Sequence, residues 1–191
     1  MIIGTFAYCG SGQDTLADGF CRYKGFRKFS LGDVIRDIAK ERHLPCKREI
    51  LQKIREECDQ IYGRKFVPEQ LMKKIEAAPG TNIVITGIRT IEEYSYFKSH
   101  LNMIFVFVYA DTEIRFQRMI ARADEKDETS LSELKRRMDK ENQLFDYKKL
   151  EYYADIKYNF NMNLDEYLNN EKHIVESLLI QIEHLSRLGI K

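Results

Sequence analysis

Five short segments of the chain have the character of β-strands, and the clearest of them are unbroken apolar runs. Such runs are typical of strands that are buried on both faces of a sheet. The predicted strands cover residues 1–8, 26–31, 82–86, 103–110 and 155–160. Helical segments separate them, and this alternation predicts an α/β fold with a doubly wound parallel sheet.

The helical segments are recognised by apolar side chains that recur every three or four residues. Pro68 indicates the first turn of one helix, where a missing N–H group costs little, and Ser130 with Glu133 forms a capping pair in another. The predicted helices cover 14–23, 32–43, 47–62, 68 to the Pro79–Gly80 pair, 90–99, 112–123, a stretch from Ser130 onward, and 163–188. The apolar face of the last helix is either a core face or a dimer face; it comprises Ile174, Leu178, Ile182 and Leu185.

The composition is that of one folded domain. The chain has 191 residues, of which 43% are hydrophobic and 32% are charged. The formal net charge is +1, so no overall basic field favours nucleic acid as a partner. Any anion-binding site must therefore be local.

The cysteines and the first residues of the chain indicate the cellular compartment in which we expect the protein. The four cysteines form no CxxC pair and the four histidines are scattered, which disfavours a zinc site and a disulfide framework. The opening apolar run is short and has no basic leader, and no apolar stretch reaches the ~18 residues of a membrane span. We therefore expect a cytoplasmic protein with no signal peptide and no membrane partner.

The segment between the first strand and the first helix reads AYCGSGQDT. Gly10 and Gly12 allow backbone N–H groups to turn toward an oxyanion, and the helix N-terminus that follows favours negative charge. This is the pattern of a phosphate-binding loop, in which Thr15 is placed to ligate magnesium. Gln13 stands where the motif has lysine, and Ala7 where it has its first glycine. The alternative interpretation is an ordinary turn between a strand and a helix.

Four segments in order resemble successive motifs of the nucleoside monophosphate kinase superfamily: MIIG with GSGQDTLAD, FSLGDVIRDIAK, VITGIRTIEE and ADTEIRFQRMIAR. The likeness is to adenylate kinases and to dephospho-CoA kinase-like and deoxynucleoside monophosphate kinase-like proteins, over residues 1–160. It implies a three-layer α/β/α P-loop kinase fold with a five-stranded parallel sheet. It also implies one domain over 1–191, with a helical acceptor-binding region at about 33–78 and a short lid region at about 115–137.

On the acceptor side, the resemblance assigns roles by position. Asp33 and Arg36 match the segment that begins the family's acceptor site, so Arg36 is expected to hold the acceptor phosphate. Arg89 matches the arginine after the third strand that binds the same phosphate. The family's acceptors make AMP, CMP, a deoxynucleotide or dephospho-CoA the candidates. The mixed charges of residues 47–78 predict a mobile, solvated helical pair over one edge of the sheet.

On the donor side, the resemblance implies ATP and Mg²⁺ as cofactors. The residues expected to bind them are Gly10, Ser11, Gly12, Gln13, Asp14, Thr15, Arg115 and Arg118. The expected catalytic residues are Gln13, Arg89, Arg118, Arg122 and Arg137, with Arg136 as the alternative to Arg137. Arginine suits these positions because its planar group binds phosphate bidentately and stays protonated. The alternative for the helical face of Arg115, Arg118 and Arg122 is a solvated surface.

Two departures from the family pattern leave the activity open. Gln13 carries no charge, whereas the motif lysine bridges the β- and γ-phosphates, and Thr86 replaces an acidic residue that orients magnesium. One hypothesis is a kinase that transfers the γ-phosphoryl group of ATP to a small phosphorylated acceptor, with compensating charge from a lysine or from an arginine: Arg89, Arg115 or Arg118. The other is a catalytically impaired nucleotide- or phosphate-binding protein that acts through a partner. A monomer and a homodimer are both open.

Overall fold

The computed structural model describes residues 1–78, 80, 82–121 and 131–189. Within them the chain alternates between strands and helices, as the apolar pattern predicts. The strands are β1 (Ile2–Ala7), β2 (Arg27–Ser30), β3 (Ile83–Thr86), β4 (Ile104–Tyr109) and β5 (Ile156–Asn159). The helices are α1 (Gln13–Lys24), α2 (Leu31–Glu41), α3 (Arg48–Tyr62), α4 (Phe66–Glu76), α5 (Ile91–His100), α6 (Thr112–Ala121), α7 (Leu131–Leu144), α8 (Tyr147–Tyr153) and α9 (Leu164–Arg187).

The strands form one parallel sheet in the order β2-β3-β1-β4-β5. β1 lies at the centre, where Gly4 is opposite Ile85 of β3 and Phe105 of β4. The carboxyl ends of parallel strands meet at one edge, so the loops after β1, β3 and β4 are neighbours. Open parallel sheets bind ligands at this edge, beside the strand from which the chain departs in both directions.

Two hydrophobic cores cover the two faces of the sheet, and together with the outer helices they confirm the three-layer prediction. In β4, Phe105 and Phe107 pack with residues of α2, α3, α4, α5 and α8. Val106 and Val108, which alternate with them, pack with residues of α1 and α9 on the opposite face. Burial on both sides explains why the strand has no polar position.

Tertiary packing decides the role of the apolar face of α9. Val175, Leu178 and Ile182 are buried in the core between α9, α1 and the sheet. Ile174 and Leu185 are partly buried against the same core. This surface is therefore a core face, which removes it as a dimer face.

The helical pair α3 and α4 packs more tightly than its mixed charges predict. Ile54 and Cys58 of α3 and Val67 and Leu71 of α4 are buried in the same core as Phe105. Most of the charged residues lie on the outer faces, where for example Glu57 of α3 pairs with Arg42 at the end of α2 at 2.8 Å, whereas Arg55 of α3 turns inward to the buried Glu93. The prediction of a solvated pair holds for the outer faces alone.

Several local features differ from the sequence prediction. α8 was not predicted, and α4 begins at Phe66, two residues before Pro68. A capping box opens α5, because the Thr90 hydroxyl accepts from the Glu93 N–H group while the Glu93 carboxylate accepts from the Thr90 N–H group. The predicted Ser130–Glu133 capping pair lies outside the described residues. Among the helices that are described, none combines the length and apolar character of a membrane-crossing segment.

Candidate functional site

The loop after β1 has the backbone shape of an anion-binding loop. Gly10 and Gly12 have φ angles of 81° and 91°, in the left-handed region that glycine adopts most easily. A Cβ atom at Gly12 would lie 2.0 Å from a ring carbon of Phe160, which excludes a larger residue. Gly12 is also the N-cap of α1 and gives no side-chain acceptor to the first turn. The buried Ser11 hydroxyl has no hydrogen-bond partner. Unpaired donors at a helix N-terminus are an arrangement that binds anions.

Gln13 points back into the protein. Its side-chain amide donates to the Thr5 carbonyl oxygen and to the Thr5 hydroxyl, both at 2.7 Å. The Thr5 hydroxyl in turn donates to the Ile85 carbonyl at 3.1 Å. Gln13 thus connects the start of α1 directly to β1 and, through the Thr5 hydroxyl, to β3. Its side-chain amide is hydrogen-bonded to β1 in this arrangement.

Arg115 of α6 is buried beside the loop, with 4% of its surface exposed. Its guanidinium donates to the Cys9 carbonyl at 3.4 Å, to the Thr112 hydroxyl at 3.3 Å and to the Met138 sulfur at 3.5 Å. The two contacts to oxygen are long, and none of the three acceptors is charged. Its Nε atom is buried and has no hydrogen-bond partner. Burial lowers the pKa of the Arg115 guanidinium.

Arg118, one turn further along α6, binds backbone carbonyls. Its guanidinium donates to the Gly10 carbonyl at 3.3 Å, to the Met162 carbonyl at 2.5 Å and to the Phe160 carbonyl. It also lies over the Phe160 ring, 4.9 Å from the ring centre. Burial lowers the pKa of this guanidinium as well. Arg118 therefore connects the loop after β1 to the segment after β5.

The predicted acceptor residues of α2 lie beside the turn after β3. Arg36 donates to the Asp33 carboxylate at 2.6 Å, and both side chains are largely exposed. Gly87, in the turn after β3, lies close to Ser30 and to the backbone nitrogen of Gly32. The fold thus brings the start of α2 next to the turn that carries Arg89. The Arg36 guanidinium is paired with its own helix in this structure.

Both the N–H group and the carbonyl of Arg89 have hydrogen-bond partners. Its N–H group donates to the Glu93 carboxylate at 2.7 Å, and its carbonyl accepts from the Asp146 N–H group at 3.0 Å. Glu93 is fully buried and pairs with Arg55 of α3 at 2.7 Å. The Arg89 guanidinium lies over the Phe145 ring, 5.3 Å from its centre. The turn is fixed, while the guanidinium reaches the surface.

A row of aromatic rings connects Arg89 with Arg115, and sequence reasoning did not find it. Phe145 contacts Tyr147 at a ring distance of 5.6 Å, and Tyr147 contacts Tyr8 at 5.1 Å. Arg115 lies over the Tyr8 ring at 5.1 Å. Tyr147 is buried, and burial raises the pKa of its hydroxyl. The sequence signal for it is the cluster of tyrosines at positions 147, 152, 153 and 158, which does not indicate which ring turns inward.

A partly buried ion pair beside this row was also missed. Arg48, the first residue of α3, donates to the Glu141 carboxylate of α7 at 2.6 Å. The pair joins the region predicted to bind the acceptor to the helix that follows the predicted lid. Its two residues are 93 positions apart in sequence, so no local sequence pattern predicts the pair.

The remaining predicted site residues lie apart or outside the described chain. Asp14 follows Gln13 directly, at the position where the motif has its magnesium-binding hydroxyl, and its side chain is 73% exposed. Thr15 comes one residue later, and its carbonyl accepts from the Tyr167 hydroxyl at 3.3 Å. Arg122 lies outside the described residues, and Arg137 lies in α7 with its side chain outside them. Among the described residues, no group of three or more His, Cys, Asp or Glu side chains is arranged to hold a metal ion.

Known proteins share both sequence and fold with this chain. A family model described as an AAA domain matches residues 3–143. A UPF0200 protein of Pyrobaculum aerophilum is 36% identical over 126 residues, which cover 65% of this chain and 67% of that protein. A UPF0200 protein of Thermococcus sibiricus is 28% identical over 197 residues, which cover 100% and 97% of the two chains.

Solved structures share the architecture at low sequence identity. Shikimate kinase from Bacteroides thetaiotaomicron matches with a TM-score of 0.62 and 17% identity, over 94% of this chain and 98% of that one. A gluconokinase from Sinorhizobium meliloti matches with a TM-score of 0.55 and 14% identity, over 96% and 94%. At these identities the likeness shows a P-loop kinase fold, and it carries no acceptor over from either enzyme to this chain.

Proposed function

The chain belongs to the AAA domain family and has a P-loop kinase fold, and from this premise we propose that it transfers the γ-phosphoryl group of ATP to a small phosphorylated acceptor. A bond forms between the γ-phosphorus and an acceptor oxygen as the bond to the ADP oxygen breaks. ADP leaves with that electron pair. Such transfer requires positioning and positive charge more than covalent chemistry.

One observation carries the proposal. The glycine loop after the central strand has an uncapped helix N-terminus, a buried unpaired Ser11 hydroxyl and a buried guanidinium, Arg115, whose Nε atom is unpaired. Buried polar groups are nearly always hydrogen-bonded, so these groups call for a ligand. A polyphosphate chain has the charge and the acceptor oxygens to satisfy them all.

We assign the acceptor to the same carboxyl edge of the sheet, at the start of α2 and the turn after β3. Asp33 and Arg36 lie beside the turn that carries Arg89, and two arginines suit a phosphorylated acceptor. The Arg36–Asp33 pair is exposed, so exchanging the carboxylate for a phosphate costs little. The proposed single domain then has two further parts. One is the acceptor-binding region at about 33–78, and the other is the lid region at about 115–137, which carries Arg118, Arg122 and Arg137.

Magnesium fits this proposal with few protein ligands. Mg²⁺ in kinase sites is held by one or two protein oxygens, by water and by substrate phosphates, where it neutralises their charge. Thr15 and Asp14 at the start of α1 are the residues that would hold it. Among the described residues the cysteines form no disulfide, and we propose a reducing compartment, which we take to be the cytoplasm.

The engagement of Gln13 with Thr5 favours a second candidate function. A loop without its lysine binds phosphate through backbone groups but stabilises the leaving oxygen less. The second candidate is therefore a regulatory protein that binds nucleotide without transfer.

Calorimetry followed by a turnover assay separates the two. ATP binding is measured with and without Mg²⁺ on the wild type and on Gln13→Lys, and ADP release is then measured with AMP, CMP, deoxynucleoside monophosphates and dephospho-CoA. Acceptor-dependent ADP release by the wild type is the expected result. Binding without release, with activity in Gln13→Lys alone, would favour the regulatory protein. Absence of binding in both proteins would contradict both functions.

A further inference from the structure

We propose that Arg115 supplies the positive charge that this loop lacks at Gln13, by binding the terminal phosphate of the nucleoside triphosphate. The inference rests on the proposed function and makes it more specific. It gives Gln13 a structural role and gives the charge to a residue of α6, which is 102 positions away in sequence.

The surroundings of Arg115 call for an anion. Arg115 is 4% exposed as a residue and its Nε atom is buried, so the guanidinium has lost much of its water. Its three hydrogen bonds of 3.3–3.5 Å end on a carbonyl, a hydroxyl and a thioether, and its Nε–H group has no acceptor. Among the described residues, no carboxylate forms an ion pair with it. Buried charges in proteins are normally paired, so this one is best explained by a partner that arrives from solution.

Arg115 also lies in the right place. A Cβ atom at Gly10 would lie 3.0 Å from the Arg115 carbonyl oxygen, so α6 and the loop are in direct contact. The guanidinium donates to the Cys9 carbonyl and stacks on Tyr8, the two residues that precede Gly10. The guanidinium therefore lies beside the start of the loop that carries the left-handed glycines.

The other arginines that sequence reasoning offered are engaged elsewhere. Arg118 donates to three backbone carbonyls, which hold it between the loop and the segment after β5. Arg89 lies on Phe145 at the far end of the aromatic row. Burial lowers the pKa of Arg115, yet arginine stays protonated at neutral pH because its ordinary pKa is so high. A bound phosphate offsets the cost of burying this charge.

The test compares ligands that differ in their phosphates. ATP, ADP, AMP and inorganic tripolyphosphate are titrated by calorimetry into the wild type, Arg115→Gln and Arg115→Lys. Arg187→Gln removes the same charge from an exposed position at the end of α9 and serves as the control. Gln13→Lys combined with Arg115→Gln asks whether a motif lysine restores what the arginine supplied. Thermal unfolding of each variant reports on its folding.

For Arg115→Gln we expect a loss of about 10–100-fold in affinity for ATP and tripolyphosphate, the range of one or two charge-assisted hydrogen bonds. AMP should bind as before, Arg115→Lys should retain part of the affinity, and the double variant should regain most of it. Arg115→Gln should unfold at no lower temperature than the wild type, because the group removed is an unpaired buried charge. If it does not fold, the same ligand comparison is made with Arg115→Lys and Arg115→Met.

Unchanged ATP affinity in folded Arg115→Gln would overturn the inference and leave the proposed function standing. An equal loss for ATP and AMP would also overturn it, since that pattern indicates general distortion. Arg115-dependent binding of tripolyphosphate without any binding of ATP would support the charge assignment and contradict the nucleotide kinase. Failure of the wild type to bind either ligand would overturn both.

Discussion

Polar side chains at the carboxyl edge of the sheet bind backbone groups of the strands and loops there. Gln13 donates to the Thr5 carbonyl, Arg118 to the Phe160 carbonyl, and Glu93 accepts from the Arg89 N–H group. Gln13 holds the start of α1 against β1, Arg118 holds the segment after β5, and Glu93 fixes the turn that carries Arg89. Rigid loops at this edge are what a positioning enzyme requires.

The two adjacent glutamates of α5 give a matched test at this scale. Glu93 is buried and accepts from two backbone N–H groups and from Arg55, whereas Glu92 pairs with the exposed Arg64 at 2.9 Å. We expect Glu93→Gln to lower the free energy of unfolding by about 2–4 kcal/mol, because it leaves a buried cation short of its partner. Glu92→Gln should change it by about 0.5 kcal/mol. Urea unfolding measures both, and equal losses would contradict this view of Glu93.

At the scale of elements, α9 anchors the helix that begins at the anion-binding loop. The Tyr167 hydroxyl donates to the Thr15 carbonyl in the first turn of α1, and Glu171 pairs with Arg22 in its last turn. Gly19 allows this close approach, since a Cβ atom there would lie 2.5 Å from the Tyr167 oxygen. α9 therefore contacts α1 at both ends and holds it in place.

The Glu171 contact predicts a dependence of stability on pH. Burial alone raises the pKa of Glu171, but the hydrogen bonds and the positive charge of the Arg22 guanidinium lower it, and the resulting pKa lies below the usual value. The stabilisation is therefore full above the ordinary glutamate pKa of about 4.3 and is lost as pH falls through the lowered value.

Urea unfolding of the wild type and Glu171→Gln between about pH 3 and 7 checks this prediction. The variant should be less stable by about 1–2 kcal/mol at neutral pH, and the difference should shrink toward pH 3. Glu176→Gln removes a surface pair with Lys24 from the same helix and should show little difference at any pH. A Glu171→Gln difference that is constant with pH would contradict the prediction.

For the whole molecule, ligand binding and folding are linked. A ligand that binds only the folded chain adds about 2.7 kcal/mol at 100 times its dissociation constant. We therefore expect MgATP at that concentration to raise the unfolding temperature by about 5–10 °C for a chain of this size. Thermal unfolding checks this result, and adenosine, which has no phosphate, should have little effect at the same concentration. An equal shift with adenosine would contradict binding through the phosphate loop.

Much of the architecture follows from local pattern, and the exceptions have physical reasons. Unbroken apolar runs identify β3 and β4 because both faces of these strands are buried. α8 is seven residues long, which is too short for a helical repeat to stand out. The capping box of α5 needs no tertiary contact, and its Thr-x-x-Glu spacing was visible in the sequence at Thr90 and Glu93.

The sequence by itself determined the alternation of strands and helices that indicates a parallel sheet, the glycine loop at the start of α1 and the absence of the motif lysine, because each is visible in residues that are neighbours in the chain. Tertiary structure alone decided where the side chains point. It turned Gln13 toward Thr5, covered α9 with the core, and buried Arg115 beside the loop. The Arg48–Glu141 pair and the aromatic row from Arg89 to Arg115 join distant segments. Such contacts depend on how helices from separate parts of the chain pack at one edge, which local pattern does not encode.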